Sequence, residues 1–180
     1  MNNITFLLCE VRIKVGINLK KVMRWIGLAI AIVVVVVISI KIVDYNSLAS
    51  KNTRNLERTL SQNTYYVNGN VKDLITIDYD KMYVFQPYQS LDEMERQIGF
   101  PYSKLKQGLN EGVNNILFVK DNKPVAYLFG YASNTGYLIN IPSSEYTKAQ
   151  VEAMTYKAET REVGNSYGTP KTYVNYQFID

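Results

Sequence analysis

An apolar run near the N-terminus constrains this chain more than any other feature. The sixteen residues from Trp25 to Ile40 carry no charge, and after Lys41 the apolar character continues to Val43. About 19 residues are thus available, and a helix that crosses a bilayer needs about 20. Five consecutive valines disfavour a helix in water, but in hydrocarbon a helix lets a single segment satisfy its own backbone hydrogen bonds. The run predicts a single transmembrane helix over residues 25–43.

Basic residues immediately before this run predict its orientation. Lys20, Lys21 and Arg24 precede the span, and Trp25 is a residue type that is enriched at membrane interfaces. Cytoplasmic flanks carry an excess of Lys and Arg, so residues 1–24 are expected to be a basic cytoplasmic N-terminus. The chain after the helix is then extracytoplasmic, at the cell membrane.

The net charges of the chain before and after Asp44 bear on whether it binds nucleic acid. Up to Val43 the chain has six basic residues and one acidic residue, a net charge of +5. From Asp44 onward it has 14 basic and 15 acidic residues, a net charge of −1, with no stripe of Lys and Arg. The basic pI therefore comes from the N-terminus, and no nucleic-acid partner is expected.

A cleavable signal peptide is the alternative interpretation of the same run. The triplet Ser47-Leu48-Ala49 offers a small-x-small cleavage site. The run is longer than a usual signal core of about 7–15 residues and Lys41 interrupts the approach to the site, which favours a retained signal anchor. Met23 would begin a complete anchor by itself, so the sequence leaves open both cleavage and the choice between Met1 and Met23 as the start.

The lack of histidine and the presence of a single cysteine exclude several kinds of site. Histidine is absent and Cys9 is the sole cysteine. No intramolecular disulfide, His- or Cys-ligated zinc site, Ser-His-Asp triad or exported Cys-His pair can form. We therefore predict neither a metal nor another cofactor. An exported domain without cysteine is typical of Gram-positive bacteria.

The chain after the apolar run divides into two parts. Residues 44–64 are polar and place Leu48, Leu56 and Leu60 on one helical stripe, which indicates a helical stalk or a solvated linker. Residues 65–180 indicate one α+β domain, with an antiparallel sheet of about five or six strands and one or two helices packed on one face. Its segments are predicted as follows: strands at 65–67, 74–77, 81–85 and 172–179, an Asn68-Gly69 turn, a three-strand meander over 115–141, and helices at about 91–98 and 146–158.

One segment of the domain resembles a protein family. The stretch from Asp80 to Tyr88, followed by Ser90, Glu93 and the Ile98-Gly99 pair, resembles a segment of small membrane-anchored or lipidated proteins of low-GC Gram-positive bacteria. The resemblance covers about 20 residues and implies a strand, a Pro-Tyr turn and a capped helix on an exported domain. It assigns no functional residue, and this chain has a membrane helix where some relatives have a lipidated cysteine.

Acidic residues suggest two candidate sites. Asp78 and Asp80 lie on the same side of an extended segment, as in the start of a calcium or magnesium site, but no third carboxylate and glycine follow at regular spacing. Asp92, Glu93 and Glu95 could face a groove as a pair of carboxylates for glycosidic cleavage. Solvated turn acids and a solvated helix face are the competing explanations, and both are favoured.

Serine and lysine form the remaining catalytic combination. Ser103 and Lys104 are adjacent, and Ser143 and Ser144 lie near Lys148 in sequence. Neither set has the Ser-x-x-Pro context of membrane-anchored signal peptidases, and adjacent residues on a strand point to opposite faces. No catalytic residue is therefore assigned.

Tyrosine is the outlier of the composition, with fifteen residues that all follow the apolar run. Tyrosines form recognition surfaces for proteins and sugars, but they also pack in strands. Those in predicted strands are Tyr83, Tyr127, Tyr137, Tyr173 and Tyr176. We expect a non-enzymatic, membrane-anchored binding or accessory protein, in one form an immunity protein, with an envelope protein or the cell wall as partner. A membrane-anchored hydrolase that acts on cell-wall or peptide substrates is the alternative.

Overall fold

The computed structural model describes residues 19–62, 67–163 and 171–180. They belong to two compact units, of which the first ends at Tyr45 and the second comprises Asn46–Asp180. The described part of the first unit is one helix, and its segment Val22–Asp44 is long and apolar enough to cross a membrane. None of that segment is buried. It has the length and composition of a membrane anchor, properties that a signal sequence shares.

The second unit mixes short helices with longer strands, so the predicted α+β class is confirmed. The helices of the chain are α1 (Leu19–Tyr45), α2 (Leu48–Gln62), α3 (Val71–Leu74), α4 (Leu91–Ile98), α5 (Ala132–Thr135) and α6 (Lys148–Ala153). The strands are β1 (Val67–Asn70), β2 (Lys81–Val84), β3 (Val113–Lys120), β4 (Lys123–Tyr131), β5 (Tyr137–Asn140), β6 (Glu145–Thr147), β7 (Thr155–Val163) and β8 (Lys171–Ile179).

These strands form two four-stranded sheets instead of one sheet. The antiparallel sheet has the order β4-β3-β2-β6. The mixed sheet has the order β1-β7-β8-β5, in which only β5 and β8 run parallel. Within the predicted meander, β3 and β4 form a hairpin, but β5 leaves it and joins the mixed sheet. Asp121 and Asn122, with φ of 49° and 56°, make the hairpin turn, and two positive φ values in succession are the signature of a type I′ turn.

The antiparallel sheet is the middle layer of the domain. Along β2 the side chains alternate, so that Met82 and Val84 join the large core beside the mixed sheet, whereas Tyr83 and the following Phe85 join a second core beneath α4. Burial on both faces explains why this strand is a continuous apolar run in the sequence.

Helix α2 covers the outer edge of β4. Leu56 and Leu60 are almost fully buried, with 1% and 0% exposure. Asn52 Nδ2 donates to Val125 O at 3.0 Å, and Thr53 Oγ1 accepts from Tyr127 N at 3.0 Å. The segment predicted as a stalk or linker is therefore helical over Leu48–Gln62 and belongs to the core of the second unit.

Helix α4 lies where the sequence predicts it. Ser90 Oγ accepts from Glu93 N at 3.3 Å, and Glu93 Oε2 accepts from Ser90 N at 2.9 Å, which completes a capping box. Gly99 ends the helix at a φ of 83°, in the left-handed region that favours glycine. Met94 and Ile98 are buried against the antiparallel sheet.

Other local predictions differ from the structure. The Asn68-Gly69 pair lies inside β1, where the Tyr156 ring covers Gly69 and leaves no room for a side chain. Residues 71–74 are a short helix, and the following segment to 77 forms no strand. The predicted helix over 146–158 shortens to α6, because Thr155 begins a strand that pairs with β8. Residues 65 and 66 lie outside the described residues.

Candidate binding groove

Two adjoining depressions form a groove at one end of the antiparallel sheet. The outer part, about 480 Å³, lies against α4, and the inner part, about 370 Å³, lies between β3 and β5. The two parts share Val84, Pro87 and Ser143 as lining residues. The groove exists because the chain leaves the sheet after β2 and returns to it through the β5–β6 connection.

Tyr88 stands at the outer part of the groove in a strained backbone conformation. Its φ is 65°, and its side chain is 60% exposed. For a residue with a Cβ atom this left-handed conformation costs roughly 1–2 kcal/mol. Tyr88 N donates to Gly108 O at 2.6 Å, and Tyr88 O accepts from Gln107 Nε2 at 2.9 Å. Two hydrogen bonds from a neighbouring loop therefore hold an aromatic ring out in solvent.

A tight turn explains this conformation. Gln89 N donates to Gln86 O at 3.3 Å, which closes a turn with Pro87 and Tyr88 at its central positions. Proline followed by a residue of positive φ is the pattern of a type II turn, whose third position normally holds glycine or asparagine. Tyrosine in that position is unfavourable for folding, so its presence points to a role for the ring.

Exposed apolar residues flank this turn and the loop that hydrogen-bonds to it. Leu91 begins α4 three residues after Tyr88, and Leu109 follows Gly108, the hydrogen-bond partner of Tyr88. In the described part of the second unit, the exposed large hydrophobic residues are these three and Leu48. An apolar surface of this kind beside a polar groove is a common feature of binding sites.

The outer part of the groove is lined mainly by polar side chains. Gln86, Gln89, Gln97 and Ser143 supply amides and a hydroxyl. Gln89 Nε2 donates to Gln97 Oε1 at 2.9 Å, and Gln89 Oε1 accepts from Gln86 N at 3.1 Å, so Gln89 is fixed in place. Side chains of this type hydrogen-bond to ligands without reacting with them.

Glu93, the one carboxylate in the described lining of the outer part, has a structural role. The hydrogen bonds that Glu93 accepts from the backbone and hydroxyl of Ser90 lower the pKa of Glu93. Glu93 is therefore ionised at neutral pH and cannot act as a general acid. Glu95, another of the helix acids, accepts from Tyr102 N at 2.9 Å. Asp92 is exposed on the same helix and does not line the groove.

Asn114 of β3 bridges the two sheets in the inner part. It is 1% exposed, and its Nδ2 donates to Tyr137 O at 2.9 Å while its Oδ1 accepts from Ile139 N at 2.9 Å. The two atoms bound are backbone groups on the free edge of β5. The carboxamide thus pairs with this edge as the peptide group of a neighbouring strand would.

The acids that suggested a metal site have other partners. Asp78 forms ion pairs with Lys120 and with Lys148, the latter at 3.3 Å, and these lysines lower the pKa of Asp78. Asp80 Oδ2 accepts from Asp121 N at 2.9 Å and so caps the β3–β4 turn. Within residues 19–62, 67–163 and 171–180, no three Asp, Glu, His or Cys side chains come together as a metal site.

The lysine candidates lie outside the described lining of the groove. Lys148 contacts the carboxylates of Asp78 and Glu152, at 3.3 and 3.9 Å. Ser144 donates to Glu145 O, and Ser143 lines the groove. Lys104 lines a separate depression beside α2. Of these candidates, the structure brings only Ser143 to the groove.

Most of the candidate tyrosines pack inside the domain. Tyr83, Tyr137 and Tyr176 are buried, and the Tyr176 hydroxyl donates to Leu60 O at 2.9 Å. Tyr127 and Tyr173 are half-buried. Nothing in the sequence distinguishes Tyr88 from the other tyrosines. The resemblance implies its turn, at Pro87 and Tyr88, but not the positive φ, because most residues after such a proline adopt a type I turn.

Comparison of the chain with protein-family models, with curated proteins and with solved structures finds no match. A function for this chain is therefore inferred from the geometry of the groove and from the chemistry of its lining.

Proposed function

We propose that this chain is a single-pass membrane protein whose second unit lies outside the bacterial cytoplasmic membrane and binds a ligand in the groove. The observation that carries the proposal is Tyr88, an exposed ring held in an unfavourable backbone conformation beside a polar groove. Strained residues of this kind persist where the surrounding structure enforces them, and they concentrate at ligand sites.

The chemistry of the groove favours binding over hydrolysis. Its lining contains one carboxylate in each part, Glu93 in the outer part and Glu111 in the inner part. Glu93 is fixed in its capping box, and the lining includes no lysine that could act as a base for Ser143. A hydrolase would need two cooperating groups at the reacting bond, and one of the two carboxylates, Glu93, is already engaged by Ser90.

The membrane helix gives the binding function its setting. Lys20, Lys21 and Arg24 precede the span, which favours a cytoplasmic N-terminus and an extracytoplasmic second unit. Only Asn46 and Ser47 separate α1 from α2 in sequence. A short tether of this kind raises the effective concentration of the binding unit for partners in the membrane or the wall.

Cysteine labelling tests the topology. Cys9 is the only native thiol, so an impermeant maleimide should leave the full-length protein unlabelled in intact cells and label it after permeabilisation. A matched variant, Cys9→Ser with Leu109→Cys, moves the thiol to an exposed position of the second unit. It should be labelled in intact cells. The opposite pattern for the two proteins would contradict the proposed orientation.

Cross-linking in cells of the native host tests binding. The tagged full-length protein should recover one envelope component in stoichiometric amount, and a truncated protein limited to residues 1–45 should not. Tyr88→Asn is the decisive control, because asparagine tolerates a positive φ and should keep the turn while removing the ring. Equal recovery by the wild type and by Tyr88→Asn would show that the groove is not the site.

A further inference from the structure

The free edges of the two sheets are protected to different extents. An unpaired edge offers a row of backbone donors and acceptors, which proteins shorten or cover to prevent unwanted pairing. The edge strand β6 has only three residues, and the edge strands β1 and β5 have four each. The edge of β4 is covered by α2, through Asn52 and Thr53. The edge of β5 differs in that it lines the inner part of the groove, and only its first half is covered, by Asn114.

Asn114 occupies the first pair of positions on the β5 edge, at Tyr137 O and Ile139 N. The next two groups on the same side of an extended strand are Ile139 O and Ile141 N. Ile141 precedes Pro142, which restricts it to extended conformations and continues the strand direction. Among the described residues neither group has a hydrogen-bond partner, and both residues line the inner part of the groove.

Strand β3, on the opposite wall of the inner part, also presents backbone groups to the gap. Phe85 N donates to Asn115 O at 3.0 Å, and after this bond the chain leaves β3. Val113, two residues earlier on β3, presents its backbone on the same side, beyond the described pairing of β3 with β2, while β4 pairs with the other side of β3 through Tyr131. Strand-edge groups thus line both walls of one gap.

We infer that the inner part of the groove binds an extended peptide segment of a partner, which pairs with Ile139 O and Ile141 N as an added strand. The inference rests on the proposed binding function and names its ligand class. The Asn114 carboxamide shows which chemistry this edge accepts, since it is a peptide-like group already bound in the adjoining position.

The charge of the groove indicates which kind of peptide fits it. Glu93 and Glu111 are the charged residues among the described residues that line it, and neither part has a lysine or arginine in its lining. A neutral or basic segment therefore fits better than an acidic one. The ring of Tyr88, at the outer part, is placed to contact a side chain of the same segment.

Selected peptides provide the probe. A displayed library of random twelve-residue peptides is selected on the full-length protein in lipid nanodiscs, and the best sequence is synthesised. Versions with a single N-methylated residue remove one backbone donor at a time and leave the side chains intact. Added-strand pairing predicts a loss of about tenfold in affinity at alternate residues and little change at those between them.

A matched pair of variants tests the edge itself. Ile141→Pro removes both the side chain and the N–H of Ile141, whereas Ile141→Ala removes only the side chain beyond Cβ. The proline variant should bind the selected peptide about tenfold more weakly than the alanine variant. Amide hydrogen exchange gives a second readout, because Ile141 N–H should exchange rapidly in the free protein and slowly with peptide bound.

Different outcomes overturn different claims. If peptides bind and are lost on Tyr88→Asn, but N-methylation shows no alternation and Ile141 N–H stays unprotected, edge pairing is wrong and the groove remains a binding site. If no peptide is selected while cell-wall glycan fragments bind in a Tyr88-dependent way, the peptide class is wrong. If Tyr88→Asn has no effect on any ligand, the proposed function itself fails.

Discussion

Removal of the Asn114 side chain should cost the second unit a large part of its stability. Asn114→Ala leaves Ile139 N without its partner and removes one of the two hydrogen bonds to Tyr137 O, which still accepts from Thr135 Oγ1 at 2.9 Å. A buried backbone group left unsatisfied costs about 1–3 kcal/mol. The unsatisfied Ile139 N–H and the lost hydrogen bond to Tyr137 O, worth about 0.5–1.5 kcal/mol, together give an expected loss of about 2–4 kcal/mol, against about 5–15 kcal/mol for the unfolding of a whole domain.

Urea unfolding of residues 46–180 measures this loss. The chain's one tryptophan, Trp25, lies in α1, so the transition is followed by far-ultraviolet circular dichroism. With a urea dependence of about 1.5 kcal/mol per molar, a loss of about 3 kcal/mol lowers the midpoint by about 2 M. The exposed Asn110, whose side chain makes one long hydrogen bond at 3.5 Å, is the control. Asn110→Ala should change stability by at most about 0.5 kcal/mol.

Asn114→Asp separates the two roles of the carboxamide. The carboxylate can still accept from Ile139 N, but it cannot donate to Tyr137 O, so the loss at pH 7 should at least equal that of alanine. Burial should raise the folded-state pKa of the new carboxyl, so the penalty should shrink as the pH falls. If the free energy of unfolding of Asn114→Ala lay within about 0.5 kcal/mol of the wild-type value, the bridge between the sheets would contribute nothing, contrary to this prediction.

Three further predictions concern other parts of the second unit. A fragment that begins at Asn46 should unfold cooperatively, whereas one that begins at Tyr65 should not, because it lacks the two buried leucines of α2, each worth about 2–5 kcal/mol by truncation. Because the pKa of Asp78 is lowered in the folded state, its ion pairs stabilise the fold above the unfolded pKa of about 3.9, and this stabilisation is lost as the pH falls through the folded pKa. Asp78→Asn should therefore reduce the acid sensitivity of the urea midpoint below about pH 4. Tyr88→Asn should raise stability by up to about 1 kcal/mol, since asparagine tolerates a positive φ better than tyrosine, while it abolishes ligand binding.

Each of these predictions has a contradicting result. Native-like amide dispersion in a fragment that starts at Tyr65 would show that α2 is dispensable. An unchanged acid transition in Asp78→Asn would show that its ion pairs with lysine do not contribute. A marked loss of stability in Tyr88→Asn would mean that the ring is there for packing, which would remove the main support for a binding role.

Local signals in the sequence predict the elements that depend on local chemistry. The Ser90-Glu93 capping box and Gly99 define both ends of α4, since a cap and a left-handed residue act within one turn of helix. The β3–β4 hairpin is likewise predictable, because Asp121 and Asn122 tolerate positive φ. The α+β class follows from such elements taken together.

The division into two sheets depends on contacts that the sequence does not display. β5 follows β4 closely in sequence, but it pairs with β8, more than thirty residues later. The sequence does not predict that α2 belongs to the core, for a related reason. Its two buried leucines form only a thin apolar stripe, and they become buried through contacts with β4 and β8. Asn114 carries no local signal at all, since its partners lie 23 and 25 residues further along the chain.

Site-specific photo-cross-linking in cells probes the binding role of the groove at Tyr88 itself. A photoreactive phenylalanine analogue is introduced at Tyr88 of the full-length protein, and at Thr172 in a matched variant. Thr172 is exposed near the start of β8, whereas the groove residue Gln177 lies near the other end of that strand. A ligand held in the groove predicts one discrete adduct from position 88 and none from position 172. Equal adducts from both positions, or none from position 88, would contradict the binding role of the groove.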